Sequence, residues 1–169
     1  MSSRQKSSDT VAEERLLNDL SSLQNTSLAG LSGAPREGDI FTWDCAVCGL
    51  SESFFEFEFF KLKLSFSINY PFRPPTVEFM SSIFHPNISP SGHFSLEDLW
   101  TPASDVVELL INIQCLLSEP DLSSVVNHEA ARLYREDRRA YARRVVRVIE
   151  MSLEIEEEEN GTLGRILNC

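Results

Sequence analysis

The chain has no apolar run near the roughly 20 residues that a membrane-crossing helix needs. Met1 to Thr10 are polar and hold no apolar stretch, so this end does not read as a secretory signal. Internal repeats are absent. Positive charge is scarce: 15 Lys+Arg stand against 26 Asp+Glu, for a net charge of −11 and a pI near 4.7. So acidic a chain repels phosphate backbones, which argues against general nucleic-acid binding. Only Lys6, Lys61 and Lys63 could accept a modification on lysine. Cysteine is sparse as well. Four cysteines and no secretory signal point to free thiols in a reducing compartment, with cytoplasm or nucleus as the expectation. Cys45 and Cys48 form a C-x-x-C, but on a strand residues three apart face opposite sides. With no second pair, no metal or other cofactor is expected. Cys115 falls in an apolar helical stretch and reads as a buried small hydrophobe; Cys169 is terminal.

What is present suits one domain. The chain has 169 residues, 42% of them apolar, enough for a proper core. Residues 1–10 are Ser-rich and read as flexible. From Val11 the pattern is helical: Leu16, Leu17, Leu20 and Leu23 recur at three- and four-residue steps, and Asp9 or Thr10 is placed to cap the start. Gly30 to Gly38 read as a loop. Phe41, Trp43, Cys45 and Val47 alternate with polar or small residues, as a strand with one core face does.

From Phe54 to Ile68 the alternation changes phase at Phe59-Phe60, which predicts a bulge or two strands. Lys61, Lys63, Ser65 and Ser67 would face water. Three prolines in Tyr70 to Pro75 end the ladder, and Val77 and Phe79 make a further short strand. Ser81 to Thr101 have no period and read as an ordered, functional loop. Val106 to Leu117 form a central apolar helix stopped by Pro120. A last helix, with room for a break, spans Asn127 to Leu153. The fold class is α+β: an N-terminal helix, a four-stranded antiparallel meander sheet and C-terminal helices.

Tyr70-Pro-Phe-Arg-Pro-Pro75, then His85-Pro86-Asn87, then Trp100-Thr-Pro102-Ala103 give a joint pattern that resembles the ubiquitin-conjugating enzyme core. The resemblance starts at Arg15, runs through Trp43 and reaches the Tyr134 to Tyr141 helix. It implies a core domain over 11–153, with an acidic tail over 154–169. The chemistry it implies is thiol exchange: an activating enzyme loads ubiquitin on a cysteine, and a lysine then attacks the thioester. The family's cysteine stands eight residues after the Asn, and here that count reaches Ser95.

This departure governs the functional expectation. A thiol is partly ionised near neutral pH, whereas a serine hydroxyl needs an adjacent base. His93, two residues earlier, is a candidate base, though a surface histidine is the simpler reading. Asn87 matches the residue that supports the oxyanion or ties the loop, and Ser124 stands where the family often carries an Asp. The segment from Ser95 to Trp100 is three residues shorter than in close relatives, and Phe57-Glu58 replace a usual pair of glycines, so that turn must be rebuilt.

For partners, the resemblance maps ligase contacts of RING or HECT type to Phe72, Pro102 and Ala103. Activating-enzyme docking maps to Arg15, weakened by Glu13 and Glu14, and a second ubiquitin maps to Ser32 on the back of the sheet. The implied role is an inactive member of the conjugation pathway that binds ubiquitin or a ligase as scaffold or competitor. The alternative is an active enzyme, with Ser95 either introduced in place of the cysteine or carrying an oxyester. Seven arginines between Arg132 and Arg147, then six glutamates between Glu150 and Glu159, read as a solvated helix face that the tail partly neutralises.

Overall fold

The computed structural model describes residues 2–96 and 98–167, with side chains for 11–96 and 98–161. Helix α1 spans Ser2–Asn25. Its start therefore lies before Asp9 and Thr10, and the side chains of residues 1–10, read above as flexible, lie outside the described set. Ala12, Leu16 and Leu23 are buried on one stripe with half-buried Leu20, whereas Leu17 is 56% exposed and faces water. The three- and four-residue steps are right, but the stripe is narrower than the leucines suggest.

Five antiparallel strands follow, in the order β1 (Leu31–Arg36), β2 (Asp39–Cys48), β3 (Phe59–Ser65), β4 (Thr76–Phe79) and β5 (His93–Phe94). Each pairs with its sequence neighbour, so the meander stands with five strands instead of four: β1 replaces a predicted loop, the two-residue β5 is added, and no strand forms over 54–58. Gly33 and Pro35 are strand residues here because β1 is an edge, where proline removes no needed donor. At Gly33 a Cβ would stand 2.6 Å from the Cys45 sulfur and 3.1 Å from Leu23, so glycine lets β1 close on the core.

The inner face carries Trp43, Cys45 and Val47 from β2, Phe60, Leu62 and Leu64 from β3, and Val77 and Phe79 from β4. Lys61 and Lys63 occupy the outer face, the latter paired to Glu78 at 2.8 Å. The phase change before β3 is neither a bulge nor a second strand. Residues 49–58 form a turn in which Phe55 is buried and Phe57 swings out, 79% exposed with φ +66°.

Helix α2 (Val106–Ser118) buries Leu109, Leu110, Ile113 and Leu117 against the sheet, and Asp105 caps it by accepting from the Glu108 N–H at 2.8 Å. Cys115 lies on its exposed side, not in the core as its apolar context suggested. Helices α3 (His128–Glu136) and α4 (Arg138–Leu167) meet at Asp137, where the expected break occurs. Helix α4 continues well past Leu153, so residues 154–167 extend the helix rather than form a separate tail. Its glutamates lie further along the same axis as its arginines and do not fold back over them. Among the described residues, no helix is long and apolar enough to cross a membrane.

Phe57 holds a left-handed backbone that costs a residue with a Cβ about 1–2 kcal/mol. Its ring is largely in water, so Phe57→Gly gives up little packing. The expected net gain is up to about 1 kcal/mol, seen as a rise of about 2–4 °C in Tm by calorimetry.

Candidate functional site

Three loops and the end of α2 converge on a cleft of about 130 Å³. Asn87, Ser95 and Ser124 all line it, and Phe94, Leu99 and Leu116 supply apolar lining. The motifs that suggested Asn87, Ser95 and Ser124 as a set are thus brought together in space.

The local scaffold begins at His85, which is fully buried. Its Nδ1 accepts from the Asn87 N–H at 3.1 Å, and its Nε2 lies 2.9 Å from the Leu116 carbonyl. Such an arrangement fits only the neutral ring with its proton on Nε2. Burial holds the His85 pKa down, to about 4, with the hydrogen bond to Leu116 partly opposing. Pro86, next in the chain, accepts from the N–H groups of Val126 and Asn127 at 2.9 and 3.0 Å. Asn127 in turn caps α3 by accepting from Ala130 N–H at 3.1 Å.

Asn87 spends its whole amide on the 121–124 segment. Its Oδ1 accepts from Asp121 N–H at 2.9 Å, while Nδ2 donates to the carbonyls of Asp121 at 2.6 Å and Ser124 at 2.9 Å. Both amide protons are therefore committed, and donation to an oxyanion would require one of these bonds to open. Of the two roles open to Asn87, the loop tie is the one its geometry performs.

Two carboxylates that the motif reading missed, Asp98 and Asp121, also line the cleft. Asp121 accepts from the Ser123 hydroxyl at 2.6 Å and its N–H at 2.9 Å, and these bonds hold its carboxyl below the usual range. It is a poor proton acceptor at neutral pH, but a fixed negative charge beside Ser124. Its position in Pro120-Asp-Leu-Ser-Ser124 was legible; its direction depends on the Asn87 tie. His93 does not line the cleft. It sits on β5 opposite Glu78, on the sheet's outer face.

The partner-loop residues form a second unit. Phe72 is 76% exposed, and Pro102 and Ala103 are exposed beside it. Trp100 Nε1–H donates to the Pro71 carbonyl at 2.8 Å, joining the two loops. Arg15 turns inward, donating to the carbonyls of Pro102 at 3.2 Å and Ser104 at 2.6 Å and to Asp19 at 3.0 Å. Asp19 also accepts from the Tyr70 hydroxyl. Burial and this bond both push the Tyr70 phenol up. Ser32 is exposed on β1, in register with Ala46, on the outer face.

The buried neutral His85 ties stability to pH. Its folded pKa lies below the ordinary 6.5, so its contribution is complete above that value and is lost as pH falls toward 4. The shift corresponds to about 3 kcal/mol. Urea titrations at pH 7 and pH 4.5 should show a smaller pH-dependent loss for His85→Gln than for the unaltered chain. Equal losses would remove His85 from the account.

The profile of the family described as Ubiquitin-conjugating enzyme matches residues 15–149. The chain is also 44% identical over 146 residues to "Ubiquitin-conjugating enzyme E2 1" of Caenorhabditis elegans, covering 85% of this chain and 76% of that protein. The match takes in the helix that carries Arg15, the whole sheet, the cleft around Asn87 and Ser95, and both partner loops. The chain belongs to the ubiquitin-conjugating enzyme family.

Proposed function

We propose that this protein works in ubiquitin conjugation without forming the thioester itself, engaging ubiquitin and a RING or HECT ligase as scaffold or competitor. The observation that carries this reading is the hydroxyl of Ser95 at the cleft, in the place where the family's chemistry needs a thiol. No described cysteine lines that cleft to substitute for it. Cys45 is buried in β2, where desolvation pushes its thiol up to about 12. Cys115 lies on the exposed side of α2.

The remaining residues support a binding role. Phe72, Pro102 and Ala103 offer an apolar anchor on loops held rigid by Trp100 and Arg15. Pre-organised exposed aromatics are the residues that carry binding energy at interfaces. Arg15 serves the loop instead of standing out from α1, and Glu13 and Glu14 surround it with negative charge. Both features favour weakened activating-enzyme docking. Ser32 on the open outer face of the sheet leaves room for a second, non-covalent ubiquitin.

Incubation with activating enzyme, ATP and ubiquitin should give no adduct on gels run with or without reductant. A base-labile, reductant-resistant adduct that disappears in Ser95→Ala would overturn the proposal and establish an oxyester enzyme. A reductant-labile adduct in Ser95→Cys would show that only the nucleophile has gone.

Phe72→Ala should weaken binding to a ligase domain about 10- to 100-fold by calorimetry, with Tm unchanged because the ring is exposed. Unchanged ligase affinity would remove Phe72 from the interface.

A further inference from the structure

The outward face of α4 carries an ordered charge pattern that the proposed function does not use. The helix buries Tyr141 and Val145, with Ile149, Ser152 and Glu156 half-buried on the same side. The opposite side presents Arg139, Arg143 and Arg147, then Glu150, Glu154 and Glu157, all exposed and spaced three or four residues apart. Val146 and Met151, each 51% exposed, project from its two flanks. The ion pairs of this helix fall off that stripe: Arg144 reaches Glu129 at 3.9 Å and Glu156 reaches Lys61 at 3.5 Å.

Within one copy the stripe is poorly arranged. Arginines four apart repel one another, as do glutamates four apart, and such pairs destabilise an isolated helix. Because α4 is continuous, the acidic half cannot fold back on the basic half. A second copy running the other way meets both needs. A twofold axis between Val148 and Ile149 sets Arg147 opposite Glu150 and Arg143 opposite Glu154, each pair made twice. The opposed charges span about 17 Å of helix.

We propose that the outward face of α4 is a homodimer interface, formed by two copies of this chain packing antiparallel in that register. The interface is isologous, each half supplying what the other lacks. It leaves the cleft at Ser95 and the loops at Phe72 unchanged in sequence and contact, and it stands independently of the proposed function.

Analytical ultracentrifugation of the full chain tests it. The expected result is a concentration-dependent dimer that weakens as salt rises, since exposed charges are screened. The double variants Arg143→Glu/Arg147→Glu and Glu150→Arg/Glu154→Arg should each self-associate at least about tenfold more weakly. Mixed one to one, they should form a heterodimer, because every opposed pair is again of opposite sign. Neither variant touches the core, and circular dichroism checks that both fold. A monomer at every concentration and salt, or a dimer indifferent to charge reversal, would overturn the proposal.

Discussion

A buried carboxylate organises this molecule. Asp19 is 3% exposed, a placement that strands a charge away from water unless partners meet it. Arg15 supplies the opposite charge from one turn earlier on α1, and the Tyr70 hydroxyl supplies a donor from the loop after β3. Through the same guanidinium, α1 is fastened to the carbonyls of Pro102 and Ser104. One network thereby sets the mutual position of the first helix and both partner loops. Such networks add little net stability over apolar packing, but breaking one partner is costly. Their effect here is positional: Phe72 can project into water because Tyr70, two residues before it, cannot move.

The cleft depends on a separate and complementary tie. Asn87 holds the 121–124 segment with all three of its amide bonds, and His85 beneath it is fixed by Leu116 and by the Asn87 backbone. Ser95 therefore lines a cleft whose neighbouring 121–124 wall is already assembled.

Much of this was legible in the residues. Alternation through Trp43, Cys45 and Val47, and again through Phe60, Leu62 and Leu64, identified the inner face of β2 and β3. The resemblance to the conjugating-enzyme core placed Asn87, Ser95 and Ser124 in one set. Local composition misled elsewhere. Gly33 and Pro35 read as loop residues, yet an edge strand tolerates both, and being an edge is a property of the sheet rather than of the segment. Cys115 sits in an apolar run, but a surface helix always has an outer side. Arg15 was found as a position while its inward direction was not, because its acceptors lie almost ninety residues away in the chain. Asp121 was missed for the same reason: it reaches the cleft through the Asn87 tie, made across 34 residues of chain.

The two borders of the sheet have a further meaning. An open sheet offers unsatisfied ladder groups at each margin, and these invite strands from neighbouring molecules. Here one margin is only two residues long, and the other is interrupted by Pro35 with a shift in register before Arg36. Neither can template the growth of an extended cross-chain ribbon. The protein is thus guarded against amyloid-type aggregation at its margins, and contacts between copies are steered toward side chains instead of backbone.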